Sequence, residues 1–227
     1  LGNTDVIILC GGEGKRLRSI VFNRPKVLAE VAGRVFLDIL VDRLLAYGFR
    51  RIILSVGYMK EEVRQHFYNH PNSKNILFVE EEIPLGTGGA LKKAAQLVKS
   101  DDFLVMNGDS FCGVDLSKLY LFHKEKKGVL SIAVASAKEP SDYGVVSSNA
   151  LGQILSFNEK SGASHGGFVN AGIYFMTKEV ISFMPIQKVF SLEYDFFPKI
   201  LNHKCFAFSF EVELIDIGTP ERYKLAK

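Results

Sequence analysis

Apolar positions in the first half of the chain follow two alternating rhythms. Nearly unbroken apolar runs at Val6–Cys10, Arg51–Val56, Asn75–Val79 and Phe103–Met106 predict buried strands. Between them, Phe36–Tyr47 carries Phe36, Leu37, Leu40, Val41, Leu44 and Leu45 at helical spacing and stops at Gly48, a natural helix C-terminus. Lys60–Phe67 and Ala90–Val98 predict two shorter helices. This alternation implies an α/β fold with a mainly parallel sheet covered on both faces. The second half is richer in strands, with candidates at Val129–Ala135, Gly144–Ser147, Gln153–Phe157, Val169–Phe175 and Phe206–Phe210. Ser191–Leu201 predicts a helix with Ser191 as its N-cap, and Thr219 followed by Pro220 marks another helix start. No linker, repeat or low-complexity tract divides the chain, so residues 1–227 are expected to form one domain.

In open parallel sheets, ligands bind at the carboxyl ends of the strands. The first such end reads Leu9-Cys10-Gly11-Gly12-Glu13-Gly14-Lys15-Arg16-Leu17, with Pro25-Lys26 shortly after. Glycines let backbone N–H groups approach a ligand closely, and successive N–H groups form an anion-binding concavity. Arg16 and Lys26 add fixed positive charge, as a polyphosphate requires. The run is neither a dinucleotide fingerprint, since Leu17 stands where the third glycine belongs, nor a P-loop, since Leu9 and Arg16 break that pattern. An ordinary strand-to-helix turn could use the same glycines, so the other strand ends must decide.

At the fourth strand end, Asn107-Gly108-Asp109 sets a carboxylate beside a glycine, an arrangement that suits Mg²⁺ and is also a common turn. Asp216 supplies a second carboxylate, and Mg²⁺ typically takes one or two. After the third strand come Glu80-Glu81-Glu82 and then Gly86-Thr87-Gly88-Gly89-Ala90. Three adjacent acids usually form a solvated edge. Beside a nucleotide, an inward-facing carboxylate accepts the two parallel donors of guanine, N1–H and the exocyclic amine, and so favours GTP.

Composition removes several alternatives. Hydrophobic residues make up 47% and charged residues 23%, the balance of an ordinary globular protein. A net charge of +3 without a long basic run argues against nucleic-acid binding, and no apolar stretch has the length of a membrane span. Cys10, Cys112 and Cys205 are too widely spaced for a disulfide framework or a zinc site, and they fit reduced thiols in the cytoplasm. His66 and His70 can share a helix face, but no acid stands at matching spacing, which argues against a metal there.

Taken in order, the glycine loop, Pro25-Lys26, Gly86–Ala90, Asn107-Gly108-Asp109, Tyr143-Gly144, Phe157–Lys160, Asn170–Gly172 and Asp216–Pro220 resemble the motifs of the sugar-1-phosphate nucleotidyltransferases. The resemblance spans nearly the whole chain. Within that family, Arg16–Val21, Val31–Leu37 and Glu80–Ala90 are most similar to guanylyltransferases acting on D-glycero-α-D-manno-heptose 1-phosphate. Departures are Lys15 for a usual Thr, Cys10 for a usual Ala, and Val27 and Glu30 for prolines. The resemblance implies a three-layer Rossmann-like fold, with residues 1–110 binding the nucleotide and 111–227 the sugar phosphate. It implies Arg16, Lys26 and Asp109 as catalytic residues and Asp109 with Asp216 as Mg²⁺ ligands. Leu9, Gly11, Gly12, Gly14, Lys15, Glu81, Gly86, Thr87, Asn107 and Gly108 would bind the nucleotide, with Glu81 reading the base. Arg18, Tyr143, Gly144, Glu159, Lys160 and Asn170 would hold the sugar phosphate. The partners implied are GTP and a heptose 1-phosphate, for surface polysaccharide synthesis, and a homodimer is compatible with the pattern. Mannose 1-phosphate with GTP, a hexose 1-phosphate with UTP or dTTP, and a non-catalytic sugar-nucleotide-binding paralogue remain as alternatives.

Overall fold

The computed structural model describes residues 1–137, 143–159, 167–211 and 214–227. The first half runs β1 (Asp5–Leu9), a small hairpin of β2 (Glu30–Val31) and β3 (Arg34–Val35), α1 (Phe36–Ala46), β4 (Arg51–Val56), α2 (Lys60–Tyr68), β5 (Ile76–Glu80), α3 (Gly86–Ala94) and β6 (Asp102–Asn107). It continues through β7 (Ser110–Cys112), α4 (Leu116–Lys126), β8 (Leu130–Ala137), β9 (Gly144–Ser148), β10 (Ile154–Glu159) and β11 (Gly167–Thr177). The chain closes with β12 (Cys205–Phe210), β13 (Leu214–Asp216) and α5 (Pro220–Ala226).

One nine-stranded sheet runs β10-β9-β11-β6-β1-β4-β5, with β8 on β11 and β12 on β8. The strands β6, β1, β4 and β5 are all mutually parallel. β11 runs antiparallel to β6, β8 and β9, which makes the sheet mixed. The continuous apolar run of β1 serves both faces. Val6 and Ile8 enter the core under α1, α2 and α4, while Ile7 enters the core under α3. That division produces the three layers and explains why the strand shows no polar alternation. Among the described residues, no helix is long and apolar enough to cross a membrane.

Three elements depart from the sequence expectation. The helix α4 shows no clear apolar stripe, because Leu121 points outward while His123 takes an inward position beside Leu116 and Leu119, where its Nδ1 lies 2.9 Å from Ser131 Oγ. Its legible signal is Asp115, whose carboxylate caps the amides of Ser117 and Lys118. The helix α3 begins at Gly86 rather than Ala90. A Cβ at Gly88 would meet the Phe190 ring at 2.2 Å, and one at Gly89 would meet Lys188 O at 2.1 Å, so these glycines allow the 188–190 segment to close on the helix start. Finally, Ser191–Leu201 is not an α-helix. A π-helical turn, Leu192–Phe196, passes into a 3-10 turn, Phe197–Lys199, where Pro198 supplies no amide to continue the ladder. Ser191 is its N-cap, as expected.

Candidate active site

The carboxyl ends of β1, β5 and β6 meet around a cleft of about 270 Å³ whose lining includes Gly11, Gly12, Lys26, Glu81, Asn107 and Asp109. Register explains the meeting. Leu9 pairs with Ser55 on one side and Asn107 on the other, and Gly108 N donates to Leu9 O at 3.0 Å. A Cβ at Gly108 would lie 2.8 Å from that same carbonyl, so close passage of the two loops requires glycine here. Gly14 takes φ +60°, the left-handed turn that swings the loop over Lys26. A larger cavity of about 630 Å³ lies beside α3, between Ile83, Lys92, Ile186 and Lys188, and brings no glycine loop or carboxylate pair together.

Glu81 is the inward member of the three acids. It is 8% exposed, its amide donates to Val56 O, and its Oε2 accepts from Leu85 N at 3.0 Å. A Cβ at Gly11 would meet its Oε1 at 2.2 Å, so the first loop glycine makes room for this carboxylate. Burial raises the Glu81 pKa above the ordinary carboxylate value, partly offset by the Leu85 amide and Lys93. Glu80 and Glu82 face α2, where Lys60 and Arg64 pair with Glu80 and Lys60 also reaches Glu82. Beneath the loop, burial pushes the Cys10 thiol pKa upward, with the charges of Asp109 and Glu81 adding to it, which keeps the thiol protonated.

Lys26 and Asp109 form an ion pair at the cleft floor, with their side chains 13% and 33% exposed. Asp216 joins this region through the backbone. It pairs with Ser110 across β13 and β7, and Ile217 N donates to Asp109 O at 3.0 Å. The Asp216 carboxylate accepts from Gly218 N at 2.5 Å and from Arg222 at 2.7 Å. Asn107 Oδ1 is buried without a hydrogen-bond partner. Two carboxylates on adjacent backbone and an orphaned amide oxygen are hard oxygen donors, so the residues present fit a divalent cation such as Mg²⁺.

The described residues expected to hold the sugar phosphate lie on and around β9, β10 and β11, beside β6. The chain bulges in β11 after Asn170, where Gly172 adopts φ +70° and a Cβ would meet Asn107 Nδ2 at 2.7 Å. Asn170 Oδ1 accepts from Gly172 N, and its amide donates to Tyr174 OH at 2.8 Å. Gly144 and Glu159 face each other in register, and a Cβ at Gly144 would meet Glu159 Oε2 at 2.5 Å. Tyr143 lies under the Arg222 guanidinium, 4.5 Å from Cζ to ring centre. Lys160 lies outside the described residues.

Several expected residues are placed otherwise. Arg18 makes its contacts away from Glu159 and Asn170. Its guanidinium lies over the Tyr58 ring at 4.4 Å and reaches Glu13, because the loop carries it towards the end of β4. Lys15 also pairs with Glu13, while Arg16 is exposed and makes no hydrogen bond or ion pair among the described residues. Thr87 lines the cleft, but its hydroxyl is taken up by Glu193 Oε2 at 2.6 Å and Leu192 N at 2.8 Å. Gly86, at φ +70°, turns the chain into α3 beside Phe190 O.

Residues the sequence reading misses are Tyr174, Glu193 and Arg222. Tyr174 is fully buried; burial raises its phenol pKa, and the Glu193, Glu159 and Asp109 charges add to this, so the hydroxyl stays neutral. Tyr174 sits in an apolar strand and Arg222 in a short amphipathic helix, so neither carries a local signal. The acid after Ser191 could have been questioned, since Ser191 Oγ also bonds Glu193.

The family model described as nucleotidyl transferase matches residues 5–227. A D-glycero-alpha-D-manno-heptose 1-phosphate guanylyltransferase of Aneurinibacillus thermoaerophilus is 36% identical over 98% of this chain and 96% of its own length. The mannose-1-phosphate guanylyltransferase of Mycobacterium tuberculosis is 30% identical over 96% of this chain, which covers 62% of that protein. The crystal structure of HddC from Yersinia pseudotuberculosis complexed with GMP-PN superposes with a TM-score of 0.85 at 33% identity, covering 98% of this chain and 97% of that one. The family model over residues 5–227 and relatives matched along nearly the whole chain make this chain a member of the nucleotidyl transferase family.

Proposed function

We propose that the protein transfers GMP from GTP to D-glycero-α-D-manno-heptose 1-phosphate, giving GDP-heptose and pyrophosphate, in the cytoplasm. A phosphate oxygen of the sugar phosphate attacks the α-phosphorus. The bond from that phosphorus to the bridging oxygen breaks, and pyrophosphate leaves with the electron pair. The attacking group is already ionised, so no general base is needed. What the chain must provide is alignment and positive charge.

The amides of Gly11, Gly12 and Gly14, with Leu9 behind them, cradle the triphosphate. Lys26 turns from Asp109 to the α-phosphate and the incoming phosphate. Arg16, exposed and unpartnered among the described residues, is available to the β- and γ-phosphates and the leaving group. Asp109 and Asp216 would hold Mg²⁺, which would supply charge neutralisation to the phosphates. Glu159 and Asn170 bind sugar hydroxyls beside Gly144 and Tyr143, and Lys160 anchors the sugar's phosphate.

The observation that carries the guanine assignment is Glu81, a buried carboxylate in the cleft wall. Guanine offers it two adjacent donors. Uracil and thymine offer one donor between two carbonyls, which a carboxylate repels. The heptose assignment is supported by the Aneurinibacillus relative and HddC, and the mycobacterial relative keeps mannose 1-phosphate as the second reading. Glu81→Gln is expected to lower kcat/KM for GTP by about ten- to hundredfold, about 1–3 kcal/mol for a mispaired buried polar group, while leaving UTP turnover no worse. The raised Glu81 pKa adds a pH signature. Guanine needs the ionised form, so KM for GTP rises on acidification at a higher pH than an exposed glutamate would dictate, and Glu81→Gln removes that acid limb. Equal GTP kinetics in Glu81→Gln and the parent would rule the base assignment out.

A further inference from the structure

The acid that His66 and His70 lack in the sequence around them is supplied by another helix. Asp38, in the first turn of α1, places its Oδ1 2.7 Å from His66 Nε2 and 3.6 Å from His70 Nε2. One ligand atom from each of the three side chains lies within 4.8 Å of the others. We propose that Asp38, His66 and His70 bind one divalent transition-metal ion of the zinc type, tying α1 to α2 outside the catalytic cleft.

Bond lengths of about 2.0–2.1 Å in a tetrahedral zinc site separate its ligand atoms by roughly 3.4 Å. The observed separations bracket that value, so small side-chain adjustments close the site. The rings are already held. His66 and His70 each pack edge-on against Phe67 at 5.0 Å, and Phe67 is on the buried face of α2. All three ligand side chains are half-buried, which leaves a solvent-facing position for water as a fourth ligand. Asp42, one turn along α1, is occupied by Arg34 and Asn72 and is not needed.

Two imidazoles and one carboxylate suit Zn²⁺, Co²⁺ or Ni²⁺, whereas Mg²⁺ and Ca²⁺ require oxygen ligands. Occupancy has a defined cost at His70. Its Nδ1 accepts from Asn72 N at 3.2 Å, which leaves the neutral ring's proton on Nε2. Metal binding at Nε2 moves that proton to Nδ1 and gives up this long contact. The single hydrogen bond between His66 and Asp38 is exchanged for metal bonds, and none of the three residues lines the cleft described above.

The test is titration of the chelator-stripped full chain with Zn²⁺ under excess Mg²⁺, which occupies the oxygen-donor site. Equilibrium dialysis gives the stoichiometry, thermal melting gives the stabilisation, and Co²⁺ in place of Zn²⁺ gives a visible ligand-field spectrum. The expected result is one Zn²⁺ per chain, a rise in melting temperature reversed by chelator, and at least about a tenfold loss of affinity in His66→Gln/His70→Gln. Absence of Zn²⁺ uptake by the parent chain at tens of micromolar, on the order of a weak adventitious site, overturns the proposal without reference to any variant. Equal uptake and equal stabilisation in the double variant overturn it too, since the ion would then sit elsewhere.

Discussion

Lys26→Ala is expected to lower kcat/KM at least about a hundredfold, the loss of roughly 3 kcal/mol that follows removal of one preorganised charge donor from a transition state. Two consequences of the substitution act together. The ammonium that would meet the phosphates is gone, and Asp109 loses the cation that neutralises it across the cleft floor. The triphosphate must then approach an uncompensated carboxylate. Lys26→Arg separates these effects: it keeps the charge but fits a planar, longer group under the Gly14 turn, where a Cβ on Gly14 would already meet Lys26 Cβ at 3.2 Å, and it should recover only part of the rate. Steady-state kinetics on the three proteins decide the matter, and a loss of less than tenfold in Lys26→Ala would remove Lys26 from the transition state.

Asp109→Asn is expected to have the larger effect, about a thousandfold or more in turnover, because under the proposed function it removes a charged metal ligand that a neutral amide replaces poorly. The fold should survive. Asp109 contributes its backbone carbonyl to Ile217 N whatever its side chain, and that side chain is a third exposed. Melting temperature should therefore move little while the Mg²⁺ dependence of turnover disappears. Turnover at the parent level would take Asp109 out of the metal site, and a collapsed melting curve would make its role structural.

The strand ends were the legible part of this molecule. β1, β4, β5 and β6 are buried on both faces, so each stands out as an apolar run, and the parallel order then brings their glycine-rich and acidic ends together. Glu81 shows what a single chain hides. Three acids in a row do not reveal which turns inward, and the answer lies in the missing Cβ of Gly11 after β1, across β4 from the end of β5. Arg18 and Thr87 have partners that sequence order does not reveal. Both have suitable chemistry beside the loop or the helix start, but Glu13 with Tyr58 claims the first and Glu193 with Leu192 the second. Arg222 and Asp38 become visible only when α5 meets β13 and when α1 meets α2, since the partner of each is remote in its environment or unremarkable in its own segment. Helix α4 was hidden by His123, a polar residue at a core position whose satisfaction by Ser131 depends on β8.

The central claim is tested most directly by pyrophosphate release with Mg²⁺, GTP and D-glycero-α-D-manno-heptose 1-phosphate, with ATP, CTP, UTP, dTTP and mannose 1-phosphate run in parallel. The account predicts strong turnover with GTP and the heptose phosphate and little with the other bases. Preference for UTP or dTTP would contradict the reading of Glu81, preference for mannose 1-phosphate would contradict the heptose assignment alone, and silence across the panel would contradict catalysis on these substrates altogether.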